Sequence, residues 1–276
     1  MPVRNIFSFL FLFLVSVGSQ AQSLRYSVAL PYISLGAYTT KQIDPFSFVG
    51  NQAALAKVKT GGLGIYGERR FLLAENSVYG IAAAIPTKKG NFGVQVNYSG
   101  VANYKEQKAG LAYAKSLGEK LDIGVQFNYY GFSVPGYINA NTVNFEAGAI
   151  VHVSDKLNVG AHVYNPVSAK LGKTGNEKLA AAYKFGLGYD VTDNFYIASE
   201  ILKEQNLPIN ITSSFQYQFK QQFFVRAGFR SDNNTGFAGV GFLYKNLRID
   251  LASSFHPQLG VSPGLLLIYN FKEALK

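Results

Sequence analysis

The residues best suited to acid–base or nucleophilic chemistry in this 276-residue chain are three histidines, His152, His162 and His256. A serine nucleophile needs such a base within hydrogen-bond reach, and a third group to orient it. No serine stands out beside His152 or His162. His256 follows Ser253, Ser254 and Phe255 and precedes Pro257, in a segment that reads as a strand running into a loop. Three scattered histidines in a chain without cysteine have no metal-ligand spacing either. Gly61-Gly62-Leu63-Gly64 has the glycines of a phosphate loop but lacks the Lys-Ser/Thr and the helix that such a loop feeds. The histidines and glycines therefore point to no enzyme, no cofactor and no metal.

A second set is charged: Glu68, Arg70, Glu146, Lys184, Glu200, Arg226, Arg230, Arg248 and Asp250. Each falls on the polar parity of its strand candidate, which points it into the interior of a barrel rather than toward lipid. Such a row could line a pathway or bind an acidic ligand. The simpler reading is a wall of mutually paired charges, and the presence of both signs favours it.

These residues need elements that alternate. Lys120 to Asn128 supplies the pattern: Leu121, Ile123, Val125 and Phe127 on one parity, Asp122, Gly124, Gln126 and Asn128 on the other. A strand sends successive side chains to opposite faces, so the segment has one apolar and one polar face. The pattern recurs. Fourteen strand candidates follow from Gly61, at about 61–70, 74–86, 92–100, 103–116, 120–132, 141–153, 157–164, 178–190, 194–203, 208–219, 222–230, 236–244, 246–256 and 262–271. In the eighth, Leu179, Ala181, Tyr183, Phe185, Leu187 and Tyr189 share the apolar parity. Residues 61–271 allow about 15 residues per strand and connection, enough for a membrane-spanning strand of about 9–11 and a turn. Connections near 88, 118, 155, 192, 220 and 245 read as tight, and those near 101, 136, 170, 205, 233 and 259 as mostly longer. The expectation is an all-β, transmembrane antiparallel barrel of about 14 strands. A secreted sandwich would pack bulky side chains on its buried face. Here the second face is Gly, Ser, Asn, Gln and Thr, which suits a polar or plugged lumen.

The N-terminus reads as an export signal over residues 1–21: Arg4, an apolar run from Ile6 to Val17, then Ser19-Gln20-Ala21 for cleavage. Residues 22–60 precede the barrel. Within them Asn51 can cap a short helix of Ala53, Ala54, Leu55 and Ala56, which makes this segment a candidate plug. Residues 272–276 form a tail. Lys and Arg outnumber Asp and Glu by 26 to 16. The basic residues sit mostly in turns, at Lys88, Lys89, Lys120, Lys156, Lys220 and Lys245, which suits lipid headgroups rather than nucleic acid.

Asp44 to Ala56 resembles a segment of the FadL-like outer-membrane barrels, which has an Asp followed by Asn-Pro-Ala-x-Leu-Ala just before the first strand. The match is Asn51-Gln52-Ala53-Ala54-Leu55-Ala56, with Gln52 where the family usually has Pro. That family includes fatty-acid and hydrocarbon transporters and the PorV/PorQ-like proteins of the Bacteroidetes. The resemblance implies fourteen strands and a lumenal hatch ordered by Asn51, Gln52, Ala53 and Leu55. Its modest size is similar to the PorV/PorQ-like branch. On that basis the first expectation is a non-enzymatic outer-membrane barrel, reached by Sec-type export, acting as an accessory subunit of a larger machine (type IX secretion or barrel assembly). Its partners would be outer-membrane lipid and other outer-membrane proteins. The alternatives are a transporter of a hydrophobic small molecule, with a lateral opening near Val101 to Tyr104, and a structural barrel or general pore.

Overall fold

The computed structural model describes residues 36–101, 103–171 and 177–271. The export signal, the start of the 22–60 segment and the 272–276 tail lie outside the described residues. Strand β5 (Leu121–Val134) shows why the chain folds as it does. Ile123, Val125 and Phe127 stand exposed, while Asp122, Gln126 and Asn128 are buried. Its neighbour β6 (Ile138–His152) pairs with it in phase, Gln126 opposite Glu146 and Phe127 opposite Phe145. A one-residue slip would exchange the two faces, so the pattern fixes the register.

The same rule runs through β1 (Gly62–Arg69), β2 (Ser77–Ile85), β3 (Asn91–Val101), β4 (Tyr104–Leu117) and β7 (Leu157–Tyr164). It continues in β10 (Ala182–Thr192), β11 (Phe195–Glu204), β12 (Asn210–Phe219), β13 (Phe223–Arg230), β14 (Thr235–Tyr244), β15 (Leu247–His256) and β16 (Gly260–Asn270). These fourteen strands form one closed antiparallel barrel, sealed by β1 against β16 from Gly62↔Asn270 to Glu68↔Gly264. Two short strands, β8 (Lys170–Leu171) and β9 (Glu177–Lys178), make a separate two-stranded sheet between β7 and β10.

Closure leaves no sheet edge along the paired wall, and the outer face is apolar: Ile65, Ile81, Val96, Phe127, Phe185, Ile211 and Leu251 are all exposed. A closed barrel with that outer face is built to stand in a bilayer. Aromatic pairs collect at the end where β1 begins: Phe92 with Tyr113, Phe195 with Phe215 and Tyr217, Phe223 with Phe242, and Tyr269 with Phe271. Lys220 and Lys245, in turns at the same end, lie over the rings of Phe219 and Tyr244. Rings with cations above them match the boundary between hydrocarbon and headgroups.

Three details differ from the sequence reading. The wall resumes after β7 at Ala182 rather than 178. Leu179 and Ala181, which parity put on the lipid face, are buried. Asn165 accepts from the Ala169 N–H and donates to the Leu179 carbonyl fourteen residues on, holding this part of the connection inward. Arg70 is not on the wall, because β1 ends at Arg69 and Arg70–Leu72 form a 3-10 turn. The connections at the far end are mostly short, as at 135–137 and 257–259; only 165–181 is long. There β5 and β6 extend the wall itself where a loop was expected.

Phe127 lies near the middle of β5 and is 63% exposed. Phe127→Arg should lower the unfolding free energy in lipid vesicles by about 2–4 kcal/mol, the cost of a cation facing hydrocarbon. Urea titration in vesicles measures it, and a change below about 0.5 kcal/mol would mean that this face does not meet lipid.

Candidate functional site: a filled lumen

Residues 38–58 pack against the inner wall of the barrel, with Lys41 exposed. A helical turn α1 (Ser47–Gly50) leads into a 3-10 helix at Gln52–Lys57. Asn51 caps this helix, its Oδ1 accepting from the Ala53 N–H at 3.0 Å, and its Nδ2 donates to the wall carbonyl of Ala161 at 3.1 Å. Phe46, Phe48, Leu55 and Val58 face an inward apolar sector made by Ala82, Ala84, Ala112, Ala114, Leu266 and Ile268.

The opposite side of the segment meets glycines. A Cβ at Gly124 would sit 2.7 Å from the Ala53 nitrogen and closer still to the Gln52 carbonyl. One at Gly148 would collide with Asn51, and one at Gly160, Gly186 or Gly188 with Tyr38. These inward glycines are the room in which the segment lies.

Charges of the wall hold it there. Glu146 accepts from Lys108 at 2.6 Å, Gln52 at 2.7 Å and Asn128 at 2.9 Å, with His162 Nε2 at 3.1 Å. Asp250 binds Arg226 at 3.0 Å and Arg248 at 2.6 Å, and Arg248 reaches across to Asp44 at 3.3 Å. Glu200 accepts from the Tyr38 hydroxyl at 2.9 Å and pairs with Lys184 at 3.5 Å, while Lys184 also donates to the Gly50 carbonyl. Burial, with the Glu200 carboxylate beside it, pushes the Tyr38 hydroxyl well above the usual phenol range, so it stays a donor. Lys57 pairs with Asp122, which His152 also contacts, and Asp190 accepts from Thr39.

The remaining predicted residues lie elsewhere. Glu68 is buried on β1, taking a hydrogen bond from Tyr66 and an ion pair from Arg70. Arg230 pairs with Asp232 at the far rim. Gln52, Ala53 and Leu55 are fully buried in the segment. Sequence reasoning left out Lys108 and Tyr38. Lys108 carried the right signal, since it shares its parity with Gly110, Ala112 and Ala114. Tyr38 carried none, because its stretch has no period.

Beyond the segment, toward the far end, the lumen has an apolar patch of Val78, Tyr130, Ala140, Leu171 and Leu179, with Phe132, Ile138 and Tyr164 against it. The 165–181 connection provides Leu171 and Leu179. Beside this patch β6 pairs with β7 only from Glu146 to His152, so Ile138–Asn144 have no β7 neighbour. The expected opening at Val101 to Tyr104 is instead a closed hairpin, with Val101 paired to Tyr104.

Glu146→Ala would strand the Lys108 ammonium and the Gln52 amide. It should destabilise the barrel by about 3–5 kcal/mol, as breaking a buried pair does. Glu146→Ala with Lys108→Met should recover part of that loss, measured by denaturant unfolding. Equal losses in single and double variants would mean that the two groups do not depend on one another.

No protein-family model matches this sequence, and no curated protein matches it either. Solved structures do match. The CymD monoaromatic hydrocarbon channel is similar at TM-score 0.63 and 13% identity, over 87% of this chain and 95% of that one. The toluene transporter TodX of P. putida is similar at TM-score 0.62 and 11% identity, over 88% and 100%. A Pseudomonas aeruginosa FadL homologue is similar at TM-score 0.59 and 11% identity, over 87% and 96%. At these identities the likeness to these channels is one of fold alone.

Proposed function

We propose that this protein is an outer-membrane channel for a small hydrophobic molecule, with residues 36–60 as its hatch. The observation that carries the reading is the apolar cluster of Val78, Tyr130, Ala140, Leu171 and Leu179 toward the far end of the lumen, separate from the apolar sector that packs against Phe46, Phe48, Leu55 and Val58. These side chains are buried against one another, and an apolar solute that parts them would be surrounded by apolar surface. The similar structures named above are hydrocarbon channels and a FadL homologue, which supports the same reading. The hatch lies beyond the patch, held by the Glu146, Asp250 and Glu200 clusters, and passage requires it to shift. Export by the leader ending at Ala21, and residence in the outer membrane, belong to this reading.

The sequence put an accessory role in secretion or barrel assembly first, on the resemblance and the chain's modest size. The described ends of the 165–181 connection bring Leu171 and Leu179 to the apolar cluster. The fold and its likenesses give no support to the accessory role or to the PorV/PorQ-like branch, and the transporter reading takes precedence.

The chain contains no tryptophan, so one introduced beside the patch reports on it alone. In Phe132→Trp protein, toluene should produce a saturable change in indole fluorescence. Adding Leu179→Ala should weaken that binding about tenfold, as expected for losing most of a buried leucine contact. A flat titration, with the protein instead purifying in a stoichiometric complex with a larger outer-membrane protein, would restore the accessory reading.

A further inference from the structure

The seam of the barrel carries a second feature, on its outer face. The β1–β16 ladder stops at Glu68↔Gly264, while β15 and β16 stay paired to His256↔Gly260. Over Gly260–Pro263, β16 therefore lacks its β1 neighbour. The chain leaving β1 bends away through Phe71 and Leu72, both in the left-handed region at φ 54° and 60°. Two such residues in succession are costly for side chains of this size, and such strain collects at binding and switch sites. The bend is fastened to the wall, with the Phe71 N–H donating to Ser262 Oγ at 2.9 Å and the Phe71 ring edge-on to His256.

Below the bend is a groove of about 470 Å³, bordered by Gly67, Ala74, Tyr79, Leu251, Pro263 and Leu265. Tyr79, Leu251 and Leu265 are exposed on the outer wall, and in the bend Leu72 is 60% and Leu73 50% exposed. Arg69 also borders the groove. It shares the outward parity of Leu63 and Ile65, at the last position of β1. Among the described residues no carboxylate pairs with it. Glu68, the carboxylate in the lining, is turned inward and is taken up by Tyr66 and Arg70.

An outward arginine is costly at the middle of a bilayer and nearly free at the boundary, where phosphates lie. We infer that this groove is a specific lipid site: it takes an acyl chain of an anionic lipid of the surrounding membrane, and Arg69 holds that lipid's phosphate. The apolar walls suit the chain, the guanidinium suits a phosphate in two-pronged geometry, and the exposed leucines extend the apolar surface. The site faces the bilayer rather than the lumen, so it stands apart from the proposed transport path.

Native mass spectrometry of the folded, detergent-purified protein tests the inference, with phosphatidylglycerol and phosphatidylcholine as probes. The wild type should retain one phosphatidylglycerol per chain, bound about tenfold more tightly than phosphatidylcholine, as a charge-assisted contact gives. Arg69→Gln should lower phosphatidylglycerol retention to the phosphatidylcholine level. Gly67→Leu, whose Cβ has ordinary space beside Tyr79, should fill the groove and remove both adducts. Toluene binding by Phe132→Trp protein should be the same in both backgrounds, which separates this site from the lumenal one. Equal retention of the two lipids by the wild type, or retention unchanged in Arg69→Gln or Gly67→Leu, would overturn the proposal.

Discussion

A peptide can lie against the inside of a barrel wall at backbone distance only where the wall has no side chains. That constraint organises this molecule. Gly124, Gly148, Gly160, Gly186 and Gly188 occupy inward positions on β5, β6, β7 and β10, and residues 38–53 fill the space they leave. Across the lumen the wall presents alanines with Leu266 and Ile268, and inward Gly64 and Gly93 leave room there for the rings of Phe46 and Phe48. Backbone contact on one side and apolar packing on the other together seat the segment.

Charge then fixes what shape allows. The lumenal carboxylates Glu146, Glu200, Asp250, Asp122 and Asp190 each bind a wall group, the inserted segment, or both. Of the charged residues named from sequence, Glu146, Lys184, Glu200 and Arg248 contact the inserted segment directly. The apolar patch near the far end is different in kind. Its side chains come from the wall and the 165–181 connection rather than from the inserted segment.

Period-two alternation made most of the wall legible in the sequence. Phe127 against Asn128, or Ile211 against Thr212, declares both strand and face without outside help, and fourteen strands follow from repeating that test. The Asn51 cap was legible because capping is local, although the helix it starts is 3-10 rather than α. Two things were hidden. Leu179 and Ala181 continue the parity of β10 but leave the wall, because Asn165, more than ten residues earlier, redirects the chain. The inward glycines read as a small face, yet which atoms fill the space beside them depends on Tyr38, in a stretch without any period. Local rules see alternation and caps; they do not see which distant segment a cavity receives.

The central claim is that residues 36–60 close the lumen by lying on that glycine track. Single-channel conductance in planar bilayers tests it most directly, comparing the wild type with Gly124→Val. Valine at 124 cannot coexist with the Gln52–Ala53 backbone in place. The account predicts a wild type with little or no steady conductance and a variant with large, long-lived openings, the barrel itself remaining folded. A variant as closed as the wild type, or a wild type already open, would contradict it.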